Sequence, residues 1–493
     1  MPANEGRRFL MRRRLPILLA CSLLVALVPL AGAGAVKKRV ACPTVKPPPV
    51  SFNEPIYIDR QRAGGEPVSV VAQDGSIVVS AHAGTTHIYK NPEALPGARD
   101  FAVGYFNQTL NWRSDDGGRT WQYIGVLGQR EGPHTLTSTG FSDPDLTMDA
   151  GGRIYNVEID LANDSVFSSV DDGQSFPFAN PIPSPGDRPW VTGGEAEEVY
   201  LYVNSLPHAL YRSTDGGLTF LPLPAPPATS KLVVDPLNPT AGLIGPAGSG
   251  SIVISDDKGQ TWTTYDGGQL GSATQFFDQI GVDSAGNVYQ AAAGGYNGSG
   301  DADLSDGQVT FGYFNRETEK WNKQGIIIPT PEGDALWPWI AAGDEGKVVV
   351  VWYQRLKDEP ENFYIYAAYT HNAQGTVVRC SDGSEQFVEP QFTVVNASGR
   401  PIAAGQICLA GTACNAGTDF EASDRRLGDF FTVNFDTKGR LFIVSGDTML
   451  ENPLGGPKPV GNPIFISQKK GPPIIAKPIK TRETRCLWPV PTC

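Results

Sequence analysis

The stretch Ser114-Asp115-Asp116-Gly117-Gly118-Arg119-Thr120-Trp121 recurs three times along the chain. The copies are Ser169-Val170-Asp171-Asp172-Gly173-Gln174-Ser175-Phe176, Ser213-Thr214-Asp215-Gly216-Gly217-Leu218-Thr219-Phe220 and Ser255-Asp256-Asp257-Lys258-Gly259-Gln260-Thr261-Trp262. All four read Ser-x-Asp-x-Gly-x-(Thr/Ser)-aromatic, and their aromatic positions lie 55, 44 and 42 residues apart. These residue types describe a hairpin turn. The Asp carboxylate accepts hydrogen bonds from turn N–H groups, Gly supplies a positive φ, and the aromatic is expected to bury between neighbouring sheets. A unit repeated at this spacing is the mark of a repeat architecture.

A second repeat runs out of phase with the first: an alternating run, a Gly or acidic turn, then another apolar run. Copies are Val68–Ala81 around Asp74-Gly75, Leu146–Ile159 around Gly151-Gly152, Trp190–Val203 around Glu195–Glu198, and Lys231–Ile244. Three more are Gln279–Ala291, Trp339–Trp352 and Phe431–Val444. Each has the form of the inner hairpin of a four-stranded blade. The expected fold is therefore all-β, a single propeller of seven four-stranded blades. With 56 Gly, 41 Pro and only 4 Met, turns dominate and helical periodicity is almost absent. Gly128–Phe141 and Glu361–Pro401 are expected to be inserted loops or extra hairpins.

The four turns are the Asp-box, or BNR, repeat, and the chain resembles the sialidase-like Asp-box β-propellers over most of its mature length. Sialidases have six blades, which leaves six as the alternative count. In that family the Asp-boxes are structural turns away from the catalytic face, so Asp116, Asp171, Asp215 and Asp257 are not expected to be catalytic. The resemblance also implies an arginine triad, a Tyr–Glu nucleophile pair, an Asp acid/base and an Arg-Ile-Pro motif near the first strand. The corresponding stretch here is Tyr57-Ile58-Asp59-Arg60-Gln61-Arg62, with no Arg-Ile-Pro. Arg62, Arg188, Arg355 and Arg425 offer positive charge without a spacing that marks a triad. Tyr353 and Tyr366 are the candidate nucleophiles, with no Glu partner assigned. The resemblance thus carries the fold further than the activity.

Candidate chemistry follows from propeller geometry, in which the loops leading into the innermost strands open on one face. Four of them carry Pro in the same register, at Pro67, Pro144, Pro189 and Pro338. Beside these stand Glu66, Asp143 and Asp145, Asp187-Arg188 with Trp190, and Trp337 with Trp339; Asp278 leads into blade five, and Asp424-Arg425-Arg426 and Asp429 into blade seven. Aromatic faces stack on sugar rings while Asp and Arg bind hydroxyls or carboxylates, and glycoside hydrolysis needs two facing carboxyls. The candidate catalytic residues are Asp143, Asp187 and Asp429. The candidate substrate-binding residues are Arg62, Arg188, Trp190, Asp278, Trp337, Trp339 and Arg425. Ordinary turn chemistry explains a Pro beside an acid equally well. The five His (His82, His87, His134, His208, His371) show no ligand spacing, so no metal site is expected. Asp301–Gly307 is similar to a calcium loop, though position twelve is Gly312 rather than Glu, and structural calcium is the one cofactor left open.

The ends and the cysteines speak of export. Five Arg between Arg7 and Arg14 precede an apolar run from Leu15 to Leu30 and then Ala31-Gly32-Ala33-Gly34-Ala35, a secretory signal over residues 1–35. An uncleaved segment acting as a membrane anchor is the rival, and no second segment could span. Residues 36–50 form a Pro-rich lead-in, 51–470 the propeller, and 471–493 a Pro- and Lys-rich tail with two Cys. Outside the signal six Cys remain, Cys42, Cys380, Cys408, Cys414, Cys486 and Cys493, suggesting three disulfides. Cys408 and Cys414 flank a tight loop and are the expected pair, and a bridge from Cys42 to Cys486 or Cys493 would close the ring. Net charge is −12, so a nucleic-acid partner is not expected. The expectation is a secreted monomer that recognises, and in the hydrolase reading cleaves, extracellular glycans in the manner of an exo-glycosidase. Its alternatives are a non-catalytic propeller that binds cell-surface glycan or protein, and a propeller hydrolase of another class.

Overall fold

The computed structural model describes residues 40–82, 88–89, 100–101, 109–127, 142–159, 164–182, 186–204, 207–271, 276–296, 307–410, 424–451 and 460–481. Among these there is no helix, and the strands form seven antiparallel blades, not six. Blade 1 comprises Gly65–Val71, Ile77–His82, Thr109–Ser114 and Gln122–Gly125, and blade 2 Ser142–Met148, Ile154–Ile159, Asp164–Ser169 and Phe178–Ile182. Blade 3 is Pro189–Gly193, Val199–Val203, Ala209–Ser213 and Leu221–Leu223, and blade 4 Val233–Val234, Leu243–Pro246, Ser251–Ser255 and Thr263–Asp266. Blade 5 begins with Ile280–Val282, Val288–Ala293 and Val309–Asn315, and splits its outer strand into Lys320–Trp321 and Ile326–Ile328. Blade 6 has the longest strands, Gly333–Ala342, Val348–Leu356 and Glu359–Thr370, with Thr393–Asn396 and Ala403–Ala404 outside. All seven hairpins read from the sequence are the paired first and second strands of a blade.

Among the described residues, blade 7 takes only Thr432–Phe435, Leu441–Asp447 and Asn462–Lys470 from its own stretch of chain. The N-terminal strand closes it, with Ser51 opposite Lys470, Phe52 opposite Gln468 and Ile56 opposite Phe465. Cys42 does not bridge to Cys486 or Cys493, because the lead-in takes it to a cysteine of blade 6. The lead-in runs along an extra hairpin of blade 6 (Thr376–Arg379 and Glu385–Val388), where Cys42 is disulfide-bonded to Cys380 and Ser381 N–H donates to Ala41 O. Cys408 is also in a disulfide; Cys414, its expected partner, lies outside the described residues, as does most of the calcium-like loop. In the tail, Ile474 is buried, donating its N–H to Gly439 O and accepting from Asp344 N–H across the turns of blades 7 and 6.

Each strand's alternate residues serve opposite faces, so β-branched runs feed the seams on both sides of a blade. Val157, Val191 and Leu201 pack between blades 2 and 3, and Ile244, Ile254, Val288 and Phe314 between blades 4 and 5. Other ties are polar. Asp283 Oδ2 in blade 5 accepts from Tyr289 Oη (2.6 Å) and from Gly346 N–H of blade 6 (2.9 Å).

The four Asp turns connect third and fourth strands at the rim with one hydrogen-bond pattern. Ser114 Oγ accepts from Gly118 N–H (2.8 Å) and donates to Asp116 (2.9 Å), which accepts also from Thr120 N–H and Oγ1 (2.9 and 2.7 Å). Asp171, Asp215 and Asp257 repeat it. Gly118 has φ +86, and a Cβ there would stand 2.2 Å from the Phe465 ring. The aromatics Trp121, Phe176, Phe220 and Trp262 are half-buried rather than buried, because the turn lies at the rim and packs against the preceding blade on one side, as Trp121 does edge-on against Phe465 of blade 7.

Candidate functional site at the channel mouth

Glu66, Asp143, Arg188 and Trp337 each precede a proline and each has a left-handed backbone, with φ of 48°, 51°, 58° and 51°. A residue before proline is normally extended, and a left-handed non-glycine costs about 1–3 kcal/mol. In blades 1, 2 and 6 the pairing of the first two strands shifts register at this point. The shared distortion gives four blades the same shape of approach to the axis.

A charged cluster stands at this mouth. Glu66 is buried, and its Oε2 lies 3.3 Å from Arg188 Nη1 and 3.4 Å from His82 Nε2. Arg188 also donates from Nη2 to Pro144 O (3.1 Å). Ser142 Oγ lies 3.1 Å from His82 Nδ1 and donates to Asp143 Oδ1 at 2.5 Å. Asp143 is hydrogen-bonded to Asp187. Arg425 pairs with Asp429 and donates to Gly428 O (2.7 Å). Burial by itself would raise the Glu66 carboxyl, but the His82 charge and hydrogen bond, then Arg188 and Arg425, bring it down to about 2. Asp187 moves the other way. Desolvation, the charge and hydrogen bond of Asp143, and the Glu66 charge push it up to about 6, against Arg188. Asp429 is likewise raised to about 6 by burial, opposed by Arg425 and reinforced by Glu66 and Asp143.

Beneath the charges lies an aromatic cluster. The Arg188 guanidinium sits 3.9 Å from the Trp190 ring centre and 4.3 Å from that of Phe430. Trp190 meets Phe277 at 5.5 Å and Phe430 at 5.8 Å, and Trp339 stacks on Phe430 at 5.1 Å. The inner strands line an open central cavity of about 220 Å3 bordered by Asp145, Lys231, Gln279, Trp339 and Asn434 among others.

The residues picked out from the sequence therefore divide. Asp143, Asp187, Asp429, Arg188 and Arg425 come together at the mouth. Trp190 and Trp337 are buried, 0% and 2% exposed, so their rings are core rather than stacking surfaces. Trp339 is half-buried with a face against Phe430. Asp278 is half-buried and accepts from Thr229 Oγ1 (3.2 Å). Arg62 does not join the mouth: it pairs with Asp59 (2.9 Å) and lies over Tyr123 of blade 1's outer strand. Asp145 is held by Lys231 (2.8 Å) and Val191 N–H (2.9 Å). Arg355 forms a buried pair with Asp334 in blade 6. Tyr353 is buried, bonded to Ser445 Oγ at 2.7 Å, and desolvation raises its phenol, which removes it as a nucleophile. Tyr366 is half-buried beside Trp352.

Three contributors escaped the sequence reading. His82 ends the second strand of blade 1 and pairs with Gly65, so extending the Val68–Ala81 hairpin by its own register would have set it beside Glu66. Ser142 opens blade 2 directly before Asp143. Phe276, 39% exposed, lies near Trp337 (6.2 Å) and under Arg425 (6.0 Å), and is an aromatic at the mouth open to solvent.

No protein-family model and no curated protein matches the chain. Several solved structures are similar to it. YCF48 bound to D1 peptide is 13% identical, with 86% of this chain and 100% of that one covered and a TM-score of 0.44. The GH74 enzyme of Niastella koreensis is 14% identical over 82% of this chain and 60% of its own, at a TM-score of 0.43. The NanB sialidase of Streptococcus pneumoniae is 11% identical over 70% of each, at 0.36. Sialidases and glycoside hydrolases thus stand among its structural neighbours, and at these identities the likeness concerns the fold alone. The chain is a seven-bladed, all-β propeller.

Proposed function

We propose that this is an exported propeller that recognises an extracellular glycan at the mouth of its central channel. The observation that carries the proposal is the convergence of Asp143, Asp187, Asp429, Arg188 and Arg425 beside the solvent-exposed ring of Phe276. Carboxylates and guanidinium groups bind hydroxyls in pairs, and an exposed aromatic face supplies the apolar contact a pyranose needs. The Cys42–Cys380 disulfide supports export, since such bonds persist in oxidising compartments, as does the basic and then apolar N-terminus. Four carboxylates against two arginines at the mouth favour a neutral glycan over a sialoside. Among the described residues no Tyr–Glu pair lies beneath three arginines, so a sialidase mechanism has no support.

A second reading, hydrolysis of the bound glycan, is favoured by Asp187, which is exposed to an arriving substrate and whose carboxyl, pushed up to about 6, is in the range of a general acid. The test exposes the oxidised protein to neutral, acidic and sialylated oligosaccharides, measuring binding by calorimetry and cleavage in the same samples. Binding of a neutral oligosaccharide, weakened tenfold or more by Asp187→Asn and Phe276→Ala, is the expected result. Cleavage abolished by Asp187→Asn would establish the hydrolase. Folded protein that neither binds nor cleaves any of them would refute the proposal.

A further inference from the structure

We propose that Glu66, His82 and Asp143 form a divalent transition-metal site at the mouth of the propeller, with one imidazole and two carboxylate ligands. This goes beyond glycan recognition and stands whether or not a glycan binds.

The geometry comes first. One donor atom from each of the three residues lies within 4.8 Å of the others, and Glu66 and His82 are buried. The separation of Glu66 Oε2 from His82 Nε2 is 3.4 Å. It is the length of one edge of a tetrahedron whose centre lies about 2.1 Å from each ligand, the usual metal distance for imidazole nitrogen and carboxylate oxygen.

The second argument concerns the imidazole proton. Ser142 Oγ stands between His82 Nδ1 at 3.1 Å and Asp143 Oδ1 at 2.5 Å. The hydroxyl has one hydrogen, and the short contact to a carboxylate oxygen takes it. Ser142 Oγ must then accept from His82, which fixes the proton on Nδ1 and turns Nε2 toward Glu66. A ligating histidine is characteristically held in this way, its other nitrogen donating to an outer partner that sets tautomer and orientation. Here Ser142 does so for His82 and binds Asp143 as well, so one side chain orients two ligands.

Charge is the third argument. Among the described residues, the carboxyl groups of Glu66, Asp143, Asp187 and Asp429 gather around this point and outnumber the guanidinium groups of Arg188 and Arg425. Such an oxygen-rich, acidic surrounding favours a divalent cation over an anion. Imidazole with carboxylates suits Zn2+ or Mn2+ better than the all-oxygen ions Ca2+ and Mg2+. Three protein ligands leave a fourth position open, the pattern of metal sites that bind water or substrate rather than purely structural ones.

The experiment titrates Zn2+ and, separately, Mn2+ into chelator-treated, re-dialysed, oxidised protein, by calorimetry and, for Mn2+, by electron paramagnetic resonance, with no glycan present. One ion per chain is expected, with affinity reduced at least 100-fold in His82→Gln and Asp143→Asn. Ser142→Ala, which removes no ligand, is expected to fold normally and to weaken binding about tenfold through the freed tautomer. It keeps the test decisive should either ligand variant fail to fold. Absence of binding by either ion, or an affinity unchanged in folded Ser142→Ala and in any ligand variant that folds, overturns the proposal. Because no glycan is present, failure here leaves the glycan reading untouched, and failure to bind glycan leaves the metal site untouched.

Discussion

Glu66 and Arg188 are each 2% exposed, with Oε2 and Nη1 3.3 Å apart. Replacing Arg188 by Met keeps an apolar stem over Trp190 and Phe430 but takes one counter-charge from the buried Glu66 carboxylate, leaving it His82 and the more distant Arg425. Removing one partner of a buried pair costs about 3–5 kcal/mol, because the survivor keeps its desolvation and loses its counter-charge. Glu66→Gln is expected to cost a similar amount by stranding the guanidinium. Near 60 °C the unfolding entropy is about 2.1 cal/mol/K per residue, or roughly 0.9 kcal/mol/K over the roughly 430 residues from Ser51 to Thr481. Each single change should therefore lower Tm by about 3–6 °C. The double variant has no stranded charge and should fall short of the sum by at least about 2 kcal/mol. The assay is calorimetric and urea unfolding of all four proteins at pH 7 with EDTA, near-ultraviolet circular dichroism confirming the native fold. If the two single effects add in the double variant to within about 0.5 kcal/mol, the pair is not coupled and the account of the mouth is wrong.

Glu158 is fully buried in blade 2, and burial raises its carboxyl well above the usual range, opposed only by Asn111. The folded state then keeps a proton that the unfolded chain loses near its ordinary value, so stability falls with pH from about 4.3 up to the folded pKa, at about 1.4 kcal/mol per pH unit. Glu158→Gln should remove that slope, and parallel stability–pH curves for the two proteins would contradict it. The Cys42–Cys380 bond closes a loop with a sequence separation of 338, for which the chain-entropy model gives an upper figure of about 6 kcal/mol. The double Cys→Ser variant should melt about 4–6 °C lower, and a change under about 1 °C would show that the unfolded chain is not what the bond constrains. Asp215→Ala breaks one rim turn in water, at a cost of about 1 kcal/mol. Its ligand affinity should equal that of the wild type; a loss of binding would place the Asp turns in the site.

Blade number and strand order were legible because a hairpin is a local object. Its alternation of apolar and polar residues and its turn chemistry lie within about fourteen consecutive residues, as in Val68–Ala81 or Leu146–Ile159. The rim turns were legible for the same reason: Asp116 finds all its partners between Ser114 and Thr120. The mouth was legible in part, since a proline in one register marked Glu66, Asp143 and Arg188 across three blades. The rest depended on closing the ring. Nothing local to Trp190 or Trp337 says whether the ring faces a ligand or the core; rings and strands from other blades decide that by covering both. His82 is unremarkable in sequence and becomes a partner of Glu66 only through the pairing of two strands, and of Ser142 only because blade 2 packs against blade 1. Arg62 shares its charge with Arg188 but is drawn to Asp59 in the lead-in to blade 1 and to Tyr123 on that blade's outer strand. Short-range hydrogen bonding and side-chain periodicity wrote the blades into the chain. Which charges meet at the axis was decided by the tertiary structure, because blades far apart in the sequence supply them and only their common packing around one channel brings them within reach.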